Sequence, residues 1–281
     1  MILIRVVKPK MNTKFIINDY ALIWNLLFQA SISDTISKMK AKLWETYRSE
    51  YNETYKDKMF IMKDYKNFIP NDDTIYNNVL EDKYYEKLKK QAEKYRMEIM
   101  KLWDTHKKEA DRLMEKVVRI KIPEYTFFVV NKELGIVDHP TNGSMVLGKG
   151  IDPKNPYMIL YEIMMNIVMN NIKVYDEETK NFKKAIVELA VLNEYATDLN
   201  KRSCYLSGNP KLLSLKRWIY PYWLMYLGVS KEEFPTYMKR DKIFFDTLKY
   251  AYEKELKKMN LEEFIDFCIR NQRYIIRDTK V

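Results

Sequence analysis

One apolar stretch of the sequence, YMILYEIMMNIVMNNI, carries a single carboxylate, Glu162. A helix that is apolar almost all round is buried, and a buried carboxylate is costly unless it is paired or hydrogen-bonded. Glu162, Asn166 and Asn170 recur every four residues and would form one polar stripe along that helix. The pattern therefore predicts either a core helix whose glutamate has a partner, or a helix that presents a general base to a cleft.

A second helical stretch, KKAIVELAVLNEYATDLNKR, carries further carboxylates. Its segment Asn193-Glu194-x-x-Thr197-Asp198 places Glu194 and Asp198 four residues apart, on one face of a helix. Glu188 lies in the apolar segment AIVELA, a setting that also suits a glutamate facing a cleft. The two stretches together offer carboxylates for acid–base or metal-binding chemistry.

The order and spacing of these residues resemble the gluzincin, or thermolysin-like, zinc metallopeptidases. In that superfamily H-E-x-x-H lies on one helix, and N-E-x-x-[ST]-D lies on a helix further along the chain. The resemblance implies that Tyr161 and Met165 occupy the positions of the zinc-binding histidines, with Glu162 at the position of the general base. It also implies that Glu194 matches the third zinc ligand, supported by Asp198.

The sequence departs from the family at the metal ligands, and Glu188 is an alternative match for the third one. A catalytic zinc needs three N, S or O ligands and a water molecule. Tyr161 is a poor ligand because its phenol has a pKa near ~10, and Met165 offers only a soft thioether. Without zinc nothing activates a water molecule for Glu162. We expect a vestigial general base, no bound metal or other cofactor, and no peptide hydrolysis by this route.

Other metal-binding side chains are few, since the chain has two cysteines and two histidines. Cys204 and Cys268 are predicted to be reduced and to pack as small hydrophobic residues. His139, in VDHPTNG, precedes the apolar helix and is predicted to be solvated, as is His106. Four methionines on the helix suit Cu(I), but core packing is the expected role of Met158, Met164, Met165 and Met169.

The net charge of +10 suggests a second class of function. Residues 123–200 contain 7 Lys and 11 Asp or Glu, so the positive charge lies in the two flanks. A basic surface attracts nucleic acids or other acidic partners without specifying either. Because the signs are interspersed and no nucleic-acid motif accompanies them, solvated helix faces are the expected setting.

The segment LKRWIYPYWLMYLG combines aromatic side chains with Lys216 and Arg217. Such a mixture can form a stacking surface for bases or peptides. Helical spacing around Pro221 predicts instead that the aromatic residues pack in the core, namely Trp218, Tyr222, Trp223 and Tyr226.

The predicted fold is α+β and mostly helical, metallopeptidase-like, in a single compact unit over residues 1–281. A helical N-terminal lobe with short N-terminal strands is expected over 1–120, with long helices from Ser33 to about Tyr65 and from about Asp82 to Arg119. Residues 121–205 are expected to form a small antiparallel sheet, with a hairpin near Thr141–Ser144, followed by the two peptidase-like helices. Residues 206–281 are expected to be helical.

The leading hypothesis for function is a catalytically inactive metallopeptidase-like protein that binds or regulates through a peptide or protein held in the former active-site cleft. One alternative is a basic helical protein that binds nucleic acid or acidic partners, and another is an active metalloenzyme with an unusual ligand set. The start of the sequence, MILIRVVKPK, does not have the pattern of a secretory signal. No apolar stretch reaches the ~18 residues of a spanning helix. A cytoplasmic protein without a membrane span is expected.

Overall fold

A computed structural model describes residues 11–28, 34–39, 41–42, 45–46, 80–122, 124–137, 144–173, 177–204, 206–230, 232–234 and 253–276. The chain divides into two compact units, each made of separate segments. The first unit comprises Met1–Met11, Lys107–Ile122 and Ile163–Val281, and the second comprises Asn12–His106 and Pro123–Glu162.

Helices make up most of the described chain, as predicted. In chain order they are α1 (Asp19–Phe28), α2 (Lys83–Leu113), α3 (Met158–Asn171), α4 (Glu177–Glu188), α5 (Ala196–Asn200), α6 (Leu213–Leu227), α7 (Glu253–Leu256), α8 (Leu261–Arg270) and α9 (Gln272–Ile275). A π-helical turn, Met114–Val118, follows α2, and a second π-helical segment, Leu189–Tyr195, joins α4 to α5. A 3-10 turn over Pro210–Leu212 precedes α6.

The described strands form one four-stranded sheet in the second unit. They are β1 (Thr13–Ile16), β2 (Tyr125–Val129), β3 (Glu133–Val137) and β4 (Ser144–Lys149), in the order β1-β2-β4-β3. The pairs β1–β2 and β2–β4 are parallel, whereas β3–β4 is antiparallel. The predicted antiparallel sheet was therefore wrong for two of the three strand pairs.

On one side, the neighbour of β2 is β4 and not the next strand along the chain, because β3 lies outside β4 at the end of the described sheet. Strand β4 runs in the same direction as β2. All five residues of β2, YTFFV, are buried. Burial along a whole strand is typical of sheets covered on both faces, which is where parallel pairing is found. The expected hairpin near Thr141–Ser144 falls mostly outside the described residues, which resume at Ser144.

The long helix predicted from Asp82 to Arg119 is observed as α2 and the π-helical turn after it. Arg119 ends it with a left-handed backbone (φ 57°). Its guanidinium donates hydrogen bonds to the carbonyls of Lys257 and Met259 at 2.8 and 2.9 Å. Of the helix predicted over Ser33 to about Tyr65, residues 34–39, 41–42 and 45–46 are helical, and the rest lies outside the described part.

Each unit has its own apolar core. In the second unit, buried side chains of α1 and α2, among them Leu22 and Leu88, share a core with buried side chains of the sheet such as Phe128. In the first unit, Trp223 and Tyr226 of α6 stack on each other and contact Phe264 of α8. No helix within the described ranges is long and apolar enough to cross a bilayer.

Candidate functional site

Helix α3 carries Tyr161, Glu162 and Met165, the first group of candidate residues from the sequence analysis. Tyr161 is buried, whereas Glu162 and Met165 are half-buried. Tyr161 and Glu162 belong to the second unit, and Met165 lies where the helix has passed into the first. The stripe predicted from sequence continues along α3, since Asn166 is half-buried and Asn170 is exposed.

A buried tyrosine on α2 lies within reach of the charge of Glu162. Burial raises the pKa of the Tyr95 phenol, and the carboxylates of Glu162 and Glu98 raise this pKa further. The Tyr95 hydroxyl is buried and has no hydrogen-bond partner among the residues that the structure describes. Tyr95 therefore stays protonated and offers a hydrogen-bond donor in the neighbourhood of Glu162.

The second motif lies on a helix that is continuous from Glu177 to Asn200 but changes its winding in the middle. The π-helical segment Leu189–Tyr195 begins directly after Glu188 and contains Asn193 and Glu194. π-Helical segments are rare and are frequent at functional sites. Glu188 thus immediately precedes this irregular segment, and Glu194 lies near its end.

Glu188, the alternative third ligand, is buried in an ion pair. Lys216 Nζ donates to Glu188 Oε2 at 2.9 Å, and both side chains are at least 96% inaccessible to solvent. The Asn209 N–H donates to the same oxygen at 3.0 Å, and Lys216 also donates to the Ser207 carbonyl at 2.7 Å. The carboxylate and the ammonium therefore satisfy each other and fix the loop in front of α6.

This loop follows the carboxylate so closely that it requires glycine at one position. Gly208 has φ +111°, a backbone that favours glycine. A Cβ atom built there would lie 2.5 Å from Glu188 Oε2 and 2.7 Å from Leu192 Cδ1. The Ser207 N–H donates to Asn193 Oδ1 at 3.2 Å, so a second buried side chain of the same helix holds the loop.

Glu194, the favoured match for the third ligand, has a different environment. Its Oε1 accepts a hydrogen bond from the Trp223 indole Nε1 at 3.1 Å. Burial raises the pKa of its carboxyl; the indole N–H opposes this rise and the nearby Asp198 carboxylate adds to it. Asp198 itself pairs with Arg112 Nη1 at 3.2 Å. A half-buried carboxyl with a raised pKa is a candidate for hydrogen bonding with a ligand.

The residues present do not fit a catalytic zinc. Within the described ranges no three His, Cys, Asp or Glu side chains lie together in a way that would hold a metal ion. At the two histidine positions the donors are a phenol and a thioether, and zinc prefers neither.

The remaining sequence candidates have ordinary surroundings. His106 packs edge-on against Tyr157, with 5.1 Å between the ring centroids. Cys268 is buried, and burial raises the pKa of its thiol, whereas Cys204 is half-exposed. His139 lies outside the described residues.

Tyr95 and Lys216 were missed or misjudged from sequence, and the hydrogen bond from Trp223 to Glu194 was not predicted. The sequence pattern groups Lys216 with Arg217 as a surface cation, yet Lys216 is buried and Arg217 is exposed. Trp223 and Tyr226 are buried as predicted, while Trp218 and Tyr222 are half-buried. Helical spacing places Lys216 on the same face as Ile219, Tyr220 and Trp223. This spacing could have indicated from the sequence that Lys216 is buried.

The chain matches no known protein family, no curated protein and no solved structure.

Proposed function

We propose that this chain is a metallopeptidase-like protein that does not perform zinc catalysis and that binds a peptide or protein segment. The order of the elements supports the proposal. A small sheet is followed by α3 with Glu162 and then by the helix that carries Glu194 and Asp198. This is the order that the resemblance to the gluzincins implies.

The observation that carries the proposal is the environment of Glu194. A carboxylate must be ionised to bind a metal. The Trp223 indole N–H donates to one of the Glu194 oxygens, and burial raises the pKa of the carboxyl. An oxygen that already accepts an N–H is less available to a cation, which supports a hydrogen-bonding role for Glu194 rather than a metal-binding one.

An extended peptide is the ligand that the sheet favours. Strand β3 pairs with β4 and lies at the end of the sheet within the described strands. The backbone groups of an edge strand can pair with an added strand, which gives affinity through the main chain. Binding of this kind needs no metal, so it is compatible with the loss of the zinc histidines.

Zinc titration of a restored site tests the ancestry. We expect the variant Tyr161→His with Met165→His to bind one zinc ion, because histidines four residues apart on a helix can chelate one ion. Glu194→Gln in this background should weaken zinc binding about tenfold or more. Replacement of Glu188 is less useful, since it would leave Lys216 buried without its partner.

The chain offers a matched control on the same helix. Asn166→His with Asn170→His creates a second pair of histidines four residues apart, and zinc bound there should not respond to Glu194→Gln. Calorimetry on folded variants gives both affinities. If the Tyr161 and Met165 variant binds no more zinc than the unmodified chain, the metallopeptidase assignment is wrong.

Peptide binding is tested separately with a displayed library of random heptapeptides. We expect the chain to retain extended peptides and to leave them intact when zinc is added. Hydrogen exchange of the β3 amides should slow when a selected peptide is bound, because these amides gain partners. Selected peptides that protect other segments and not β3 would contradict this binding mode. Cleavage of the peptides would contradict the loss of catalysis.

A further inference from the structure

One face of α2 is exposed over about three helical turns. Its positions follow helical spacing at i, i+3, i+4, i+7 and i+10 and therefore form a single stripe. This α2 stripe consists of Lys94, Met97, Glu98, Lys101 and Asp104, all exposed. It lies within the second unit and contains none of the residues of the candidate site.

The middle of the α2 stripe is apolar. Met97 has 57% of its surface accessible to solvent, the largest fraction of any apolar side chain on this helix among the described residues. Met100 lies beside it, and both line a groove of about 800 Å³. Arg96 holds the two thioethers, with Nη1 3.1 Å from Met100 Sδ. Methionine is enriched at protein interfaces relative to the rest of the surface.

The four charged side chains of the α2 stripe have no ion-pair partner within the described part of the chain. Elsewhere on α2 such pairs do form, as between Lys90 and Glu86 at 2.6 Å. If a second α2 stripe ran in the opposite direction, each charge of the first would face a charge of opposite sign. About a centre close to Ile99, Lys94 mirrors Asp104 and Glu98 mirrors Lys101.

We infer that the α2 stripe is a self-association surface, on which a second copy of this chain docks its own α2 in antiparallel orientation about a two-fold axis. The two-fold axis places Lys94 of each copy opposite Asp104 of the other, and Glu98 opposite Lys101. Met97 and Met100 of the two copies come together near the axis and are removed from solvent. A parallel arrangement in register would place like charges opposite each other, so the pattern selects the antiparallel one.

The size of the α2 stripe sets the strength of this association. Three turns of one helix cover less than the ~800 Å² per partner of a standard stable interface. The dimer is therefore expected to be weak, to form at high protein concentration, and to dissociate at high salt because screening removes the charge pairing.

The test uses sedimentation velocity of the full chain over a micromolar concentration series. We expect a reversible monomer–dimer equilibrium. Lys94→Glu and Asp104→Lys should each raise the dissociation constant about tenfold, since each turns two attractive pairs into repulsive ones. A mixture of these two variants should form heterodimers, because the carboxylate introduced into one variant then faces the ammonium introduced into the other. Only an antiparallel α2–α2 contact predicts that the mixture associates although each variant alone does so weakly.

Lys154→Glu is the matched control, since Lys154 is an exposed lysine of the same unit that lies outside the α2 stripe. It changes the net charge as much as Lys94→Glu does and should leave the dissociation constant unchanged. Circular dichroism establishes that each variant is folded. A chain that stays monomeric at every concentration would overturn the inference. So would a mixture that does not associate, or a control that weakens the dimer as much as Lys94→Glu.

Discussion

Glu188 and Glu194 lie on the same helix, but a cation compensates the charge of Glu188, whereas burial and a nearby carboxylate disfavour charge on Glu194. Glu188 is buried and is met by an ammonium and a backbone N–H, so its negative charge is compensated. Glu194 is only half-buried, yet it receives an indole N–H and lies near another carboxylate. The more buried glutamate thus supports the fold, whereas the more accessible one is the better candidate for chemistry.

The comparison shows why burial alone does not identify a functional carboxylate. Desolvation penalises any charged group, but a paired cation and hydrogen bonds can offset that penalty. The π-helical segment begins directly after Glu188 and contains Glu194, so a structural and a candidate functional carboxylate lie on one helix. It follows that substitutions at Glu188 should act on stability, and substitutions at Glu194 on titration and binding.

The largest expected effect comes from Glu188→Ala. It leaves the ammonium of Lys216 buried without its carboxylate and frees the Asn209 N–H, and it should lower the free energy of unfolding by about 3 to 5 kcal/mol. Chemical denaturation followed by circular dichroism measures the change. The control is Glu86→Ala, which breaks the exposed Lys90–Glu86 pair and should cost less than about 1 kcal/mol. Similar losses from both substitutions would mean that the buried pair contributes little.

Gly208→Ala should have the next largest effect. The added Cβ would meet Glu188 Oε2 at 2.5 Å on a backbone with φ +111°, and we expect a loss of about 1 to 3 kcal/mol in the free energy of unfolding. Gly150→Ala is the control, because a Cβ there meets the Lys132 carbonyl oxygen at an ordinary 3.5 Å. If the two variants unfold at the same denaturant concentration, the loop does not depend on its close approach to Glu188.

The parts of the fold that follow from local periodicity could be predicted from sequence. The helical spacing of Tyr85, Leu88, Ala92 and Tyr95 indicated α2, and all four side chains are buried. The apolar stretch around Glu162 indicated a largely buried helix, and α3 is one. These features depend on residues within a few turns of each other, where spacing along the chain fixes spacing in the molecule.

The parts that depend on distant residues could not be predicted in the same way. Lys216 and Glu188 are 28 positions apart, and nothing in either segment specifies the other as its partner. The direction of β4 beside β2 likewise depends on where β3 lies. A strand pattern gives the residues that alternate or are buried, but not the neighbour with which the strand pairs.

Replacement of Glu194 should produce a smaller effect that depends on pH. Because the folded-state pKa lies above the ordinary value of 4.5, the folded state holds this proton longer than the unfolded state. The stability associated with the protonated carboxyl is present below pH 4.5 and is lost as the pH rises through the folded-state pKa.

Glu194→Gln keeps an acceptor for the Trp223 indole but cannot ionise. The variant should match the original chain at pH 4 and exceed it slightly in stability at pH 7 and above. Unfolding curves over this pH series measure the difference, with Glu255→Gln, at an exposed position, as the reference for a Glu-to-Gln change. A difference that is the same at every pH would contradict a raised pKa at Glu194.

The smallest effect is expected from the neighbour of Glu194. Asp198→Asn removes a carboxylate that raises the pKa of Glu194, so the titration of Glu194 should move to lower pH. Arg112→Gln removes the cation that pairs with Asp198, so that titration should move to higher pH. Carbon-detected NMR of the Glu194 carboxyl measures both shifts in the folded state, independently of stability. The opposite directions matter most, because general loosening of the helix would move the pKa of Glu194 toward its ordinary value in both variants. Downward shifts in both variants would indicate loosening of the helix, and no shift in either would show that burial alone, without Asp198, raises the pKa of Glu194.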